Sequence, residues 1–329
     1  MSPVHRSPSS RPSIQNLTLT RRGLGRALLG ASALAVSGTA VSMTAEPARA
    51  EGERVLASWG SSSLAPHSIL DHVGSELGFY PVVHYARPAQ TSIETLAMRG
   101  GHDPLLDLPD GMIPGHTDPI EVTASNLRPE LSLYGYEGWV DDVFCRLDTT
   151  DHGTFMFHRV DPGEAKPAVS TAFRSEPQAF SRNGCHVYWM GKNDLTFDGY
   201  SADTAIENTQ RAWDVDGAGA DGRVLVLGYW RTFLDDAARA GDIARVNGEY
   251  ATRFGPDFYL DVQHLLTDPE WGLSSPPVAD MGLQPVTAPD GGLQPPRELV
   301  GEDNMHLNDL GNQVVAWAIT EKMRDRWGA

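Results

Sequence analysis

Five short runs of apolar and β-branched residues punctuate this chain, at 54–59, 80–85, 186–190, 223–229 and, more briefly, 258–261. Runs of that length and composition read as buried strands. Between them the apolar positions recur at helical spacing: 68–77 follows the first strand, 92–99 the second and 204–213 the third. After the fourth strand, Ile243, Val246, Tyr250 and Phe254 repeat one turn apart, and a last helix over 310–327 turns Val314, Ala318 and Met323 inward. Strands alternating with helices predict a three-layer α/β/α sandwich with a mainly parallel five-stranded sheet.

Residues 102–184 break this rhythm, because a crossover between parallel strands needs only a dozen or so residues. The alternating pieces 120–122 and 154–157 read as antiparallel strands, so the stretch is expected to be a β-rich insertion. A second irregular stretch, 268–302, is crowded with Pro and Gly and reads as a long functional or mobile loop. The expected organisation is one domain over 51–329.

The first fifty residues differ in composition. A polar, Arg-containing lead, the pair Arg21-Arg22, a mild apolar run from Ala27 to Val41 and the small residues around Arg49 predict an export signal of the twin-arginine type. The expected location is therefore secreted or cell envelope. No later segment is apolar enough to span a bilayer, so stable membrane insertion is not expected.

Residues 1–50 hold six Arg and one Glu, so without them the formal net charge moves from −17 to −22. A surface of that sign repels phosphate backbones and anionic lipid. Nucleic acid is thereby disfavoured as a partner, while neutral esters and neutral glycans remain open. Cys145 and Cys185 are the only cysteines. One disulfide between them is expected in an exported protein.

Three short motifs carry candidate chemistry. Asp303 precedes His306 by three residues, a spacing that lets a carboxylate orient an imidazole and fix its tautomer. Taken alone, D-x-x-H is more readily a helix cap by Asp303 or Asn308 beside a surface histidine. Gly60-Ser61-Ser62-Ser63 ends the first strand, where ligands of doubly wound sheets bind. Gly191-Lys192-Asn193-Asp194 ends the third, placing an amide N–H donor at the same edge. His102-Asp103 and His116-Thr117-Asp118 form no recognised zinc pattern, and Trp59 reads as core. There is no G-x-S-x-G, so an α/β-hydrolase nucleophile elbow is disfavoured.

With these motifs at successive strand ends, the chain resembles the SGNH (GDSL-type) hydrolase superfamily over residues 53–328. The resemblance implies a flavodoxin-like fold and identifies Ser62 as nucleophile, with Ser61 standing where the family usually has Asp. It makes His306 the base, Asp303 its orienting acid, and matches Gly191, Asn193 and Asp194 to the third block. The second block is similar to 88–92 with 99–101, which puts Ala89 in the place of the oxyanion glycine. The implied oxyanion hole is the backbone N–H of Ser62 and Ala89 plus the Asn193 side chain. The activity so implied is hydrolysis of carboxylic esters, short acyl esters or acetyl groups on a glycan, with neither cofactor nor metal. Acyl transfer by the same triad and a non-catalytic glycan-binding or cell-surface module are the competing expectations.

Overall fold

Each expected strand of the central sheet forms within two residues of its predicted place. The computed structural model describes residues 54–127, 135–149, 154–180, 184–216 and 223–327, all within one compact unit. The first half of the α/β pattern is β1 (Leu56–Gly60), α1 (His67–Leu77), β2 (Val82–His84) and α2 (Ser92–Arg99). The insertion then supplies β3 (Leu106–Asp107), β4 (Met112–Ile113), β5 (Ile120–Ala124), β6 (Tyr136–Val140) and β7 (Val143–Thr149). It ends with β8 (Phe155–Arg159), β9 (Lys166–Pro167), β10 (Phe173–Ser175) and the short α3 (Glu176–Phe180). The pattern resumes through β11 (Cys185–Trp189), α4 (Ala202–Val215), β12 (Val224–Leu227), α5 (Ala237–Phe258) and β13 (Tyr259–Leu260). It closes with α6 (Val262–Thr267) and α7 (Asp309–Trp327).

The central sheet runs β2-β1-β11-β12-β13, and every pairing is parallel. Counting only these strands the order is 2-1-3-4-5, the flavodoxin-like doubly wound arrangement. The inner strands β1, β11 and β12 are buried along their whole length, which is why they read as unbroken apolar runs. Helix α1 packs on α7, whereas α2, α4 and α5 pack in series, giving one helical layer per face. The chain adds β2 on one side of β1 and then crosses to add β11 on the other, so the strand order reverses between β1 and β11 and the crevice of this fold opens where those two strands end.

The insertion is a six-stranded antiparallel sheet in the order β10-β6-β7-β8-β5-β3. The two pieces recognised by alternation are direct partners, with Ile120 opposite Phe157 and Val122 opposite Phe155. This sheet is docked on α2: Ser175 Oγ donates to the Met98 carbonyl, and Tyr136 Oη donates to the Glu94 carbonyl at 3.4 Å.

Two expectations are corrected. Cys145 and Cys185 are both free and buried, one in each sheet, and desolvation raises both thiols to about 11. The stretch 268–302, expected to be functional or mobile, is packed: Leu273, Val278, Leu283, Ala288 and Leu299 are buried. It is also tied to the segment after β12 by an Arg231–Asp290 ion pair at 2.6 Å and a hydrogen bond from Gln294 Nε2 to the Thr232 carbonyl at 2.7 Å. Its irregular backbone hides this burial from any periodicity test. The export signal over 1–50 lies outside the described residues, and none of the described helices is long and apolar enough to cross a membrane.

Candidate active site

The turn after β1 is shaped by close backbone packing. Gly60 has φ 146°, and a Cβ there would lie 2.0 Å from the Trp189 carbonyl oxygen, so only glycine fits. Ser61 N–H donates to that same carbonyl at 3.3 Å, and the Ser61 carbonyl accepts from Leu64 and Ala65 at 3.1 Å each. This turn buries Ser61 and leaves Ser62 half-buried beside the crevice. Of the three serines, Ser62 is therefore the one whose hydroxyl meets the imidazole. Trp59, one residue before the glycine, is fully buried and donates from Nε1 to His186 Nδ1 at 2.9 Å, as a core residue should.

His306 arrives from the other end of the chain. Its loop is closed by Gly301 N–H donating to the His306 carbonyl at 2.8 Å and Asn304 N–H donating to the Gly301 carbonyl at 3.0 Å. Asn304 takes φ 59°, a left-handed position that asparagine tolerates, and its carbonyl accepts from Phe233 N–H at 3.1 Å. Asp303 Oδ1 accepts from the backbone N–H of Met305 at 2.9 Å and of His306 at 3.0 Å. Its Oδ2 lies 2.6 Å from His306 Nδ1, and His306 Nε2 lies 2.7 Å from Ser62 Oγ. The hydrogen bond to the imidazole, followed by those two backbone donors, lowers the Asp303 pKa to about 2. A carboxylate at Nδ1 holds the ring proton there and turns the lone pair of Nε2 toward the serine. Helix α7 needs no cap from Asp303, because Asn308 Oδ1 accepts from Leu310 and Gly311 at 3.1 and 3.0 Å.

The remaining candidates sit on the turns after β2 and β11. Ala89 adopts φ 61°, the left-handed conformation that glycine would take at no steric cost. Asn193 Nδ2 donates to the Gln90 carbonyl at 2.9 Å, so the two turns are joined through Gln90. The Asn193 amide keeps a second N–H. Among the described residues neither Ala89 nor Asn193 hydrogen-bonds to Ser62 itself. Gly191 enters its turn at φ 92°, where a Cβ would lie 2.3 Å from the Tyr229 hydroxyl.

Beneath these groups lies a buried polar network; motif reading picked out its members Ser92 and Asp194 but not the bonds that join them. Asp194 accepts from Ser92 N–H at 2.8 Å and from the Ser92 hydroxyl, which also accepts from Asn208 Nδ2 at 2.8 Å. Burial pushes Asp194 up to about 7. Thr91 and Glu94 form a capping box at the start of α2, and Gln90 Nε2 donates to Tyr136 of the insertion. The S/T-x-x-E pattern at 91–94 was the available sequence signal for the capping box. The disfavoured metal pairs are elsewhere and otherwise engaged: His102 Nε2 lies 2.8 Å from the Asn126 carbonyl oxygen, Asp103 accepts from Gln178 at 3.0 Å, and His116 faces Asp118 at 4.0 Å in the open.

No family model matches this chain, and no curated protein matches it. Among solved structures it is similar to TesA at 13% identity, covering 83% of this chain and 99% of that one, with a TM-score of 0.41. A GDSL-like lipase from Bacteroides thetaiotaomicron is 10% identical, with 85% and 92% covered and a TM-score of 0.43. A putative acylhydrolase from Bacteroides fragilis is 11% identical, with 85% and 91% covered and a TM-score of 0.42.

Proposed function

We propose that this protein is an exported SGNH-type serine esterase acting on neutral carboxylic esters. The observation that carries the reading is the unbroken line from Ser62 Oγ to His306 Nε2 at 2.7 Å and from His306 Nδ1 to Asp303 at 2.6 Å. These groups come from positions 244 residues apart, at the crevice of a doubly wound sheet. A helix cap beside a surface histidine would not require that meeting.

In the proposed reaction His306 takes the Ser62 proton as Oγ attacks the ester carbonyl, giving a tetrahedral oxyanion and an imidazolium faced by Asp303. The backbone N–H groups of Ser62 and Ala89 and the Asn193 side chain stabilise the oxyanion. His306 then gives its proton to the departing alkoxide, which leaves as the alcohol. Water, deprotonated by the same imidazole, attacks the acyl-enzyme and releases the acid with Ser62 restored.

Hydrolysis is favoured over acyl transfer because the base is open to water. The side chains of His306 and Asp303 are 37% and 53% exposed, and the 268–302 stretch is tied to the segment after β12. The negative surface favours neutral substrates, and short acyl esters or acetylated glycans fit that requirement. Labelling with a serine-reactive fluorophosphonate tests the reading directly: wild type should label and Ser62→Ala should not. Equal labelling of both, or ester turnover surviving in Ser62→Ala, would remove Ser62 as nucleophile.

A further inference from the structure

His67 and Asp71 lie one turn apart on α1, and His84 ends the neighbouring β2. The imidazoles of His67 and His84 stack with centroids 3.9 Å apart and planes 10° apart. His84 Nε2 lies 2.9 Å from Asp71 Oδ1, and one donor atom from each of the three residues lies within 4.8 Å of the other two. We propose that His67, Asp71 and His84 form a binding site for a divalent transition-metal ion of the zinc type.

The donor set decides the class of ion. Two imidazole nitrogens and one carboxylate oxygen suit zinc and its neighbours, whereas magnesium and calcium prefer oxygen alone. Bonds of about 2.0–2.2 Å to a tetrahedral ion place neighbouring ligand atoms roughly 3.3 Å apart, so the 2.9 Å His84–Asp71 edge is already near the required width. His67 and Asp71 are exposed, which leaves both side chains free to turn toward a common point. The His84 side chain is only 13% exposed and supplies the fixed member.

Protonation also fits. Burial and the adjacent His67 lower the His84 pKa, which favours the neutral, ligating imidazole. The ion replaces the proton between His84 Nε2 and Asp71. His84 Nδ1, buried and without a hydrogen-bond partner among the described residues, takes up that proton, so the ring stays neutral. Water fills the fourth position. Such an ion would staple α1, which follows the Ser62 turn, to β2, which leads into the Ala89 turn. No step of the proposed ester chemistry passes through it.

The test is titration of the metal-free protein with zinc by calorimetry and with cobalt by its visible absorption, for wild type, His67→Ala and Asp71→Ala. Both substitutions are at exposed positions of α1, and thermal unfolding without metal checks that the variants fold. Wild type should take up one zinc and show the bands of a four-coordinate cobalt site. Each variant should bind at least about tenfold more weakly. Zinc should raise the thermal midpoint of wild type more than that of either variant. Absence of saturable binding, or binding unchanged by both substitutions, would overturn the site and leave a histidine stack with a surface ion pair.

Discussion

The two halves of the candidate site are held by opposite means. On the proposed oxyanion side, Ser92, Asp194 and Asn208 are buried and bonded across 102 and 116 residues of chain. On the proposed base side, Asp303 is exposed and His306 half-buried, and the contacts that orient the acid span two or three residues. The contrast fits the tasks proposed for the two halves. Donors aimed at a developing charge must be preorganised in a rigid, poorly hydrated frame. A base that must exchange protons with water and the leaving group needs only one partner to hold its tautomer.

That difference predicts a ranking. Asp303→Asn should leave the fold intact, because its contacts are local and exposed, yet lower kcat by roughly ten-thousandfold by releasing the tautomer. Steady-state turnover of a p-nitrophenyl ester measures it, and a loss below tenfold would make Asp303 a turn residue only. Asn193→Ala should cut kcat by about 10² to 10³ with a smaller change in KM, as expected for a donor used in the transition state. Unchanged turnover would leave Asn193 as a tether for Gln90.

The last effect is on stability rather than on rate. Asp194 has a folded pKa of about 7, above its ordinary 3.8, so between these values the folded state holds a proton that the unfolded chain has lost. Its contribution is therefore fully present below about pH 4 and is lost as pH rises toward 7, at up to about 1.4 kcal/mol per pH unit. Asp303 has the opposite sign: its low pKa adds stability above about 4 that disappears as pH falls toward 2. Asp194→Asn should flatten the first slope in denaturant midpoints measured from pH 4 to 7. A slope unchanged from wild type would assign it to other groups.

Five strands, their parallel run, the last helix and the insertion were legible in the chain because burial leaves a periodic trace in side-chain chemistry. So were Ser62, Asn193, Asp303 and His306 as candidates, since each lies at the end of a readable element. Other features left no such trace. Asp194 looks like an ordinary turn residue until Ser92 is brought beside it from 102 residues away. Gln90, in the turn after β2, and Tyr136, in β6 of the insertion, share no local pattern. The expected Cys145–Cys185 bridge failed because a count of cysteines carries no distance, and these two lie in separate sheets.

Residue order alone therefore settled what is local: element type, a serine turn at the end of the first strand, and the acid three places ahead of its imidazole. Three-dimensional packing decided what is not: that Ser62 rather than Ser61 faces His306, that 268–302 is packed, and that His67, Asp71 and His84 converge. The reason is physical. Propensity and periodicity act over a turn or a pleat, whereas a hydrogen bond or a shared ion needs atoms within a few ångströms, and only the folded topology sets that distance.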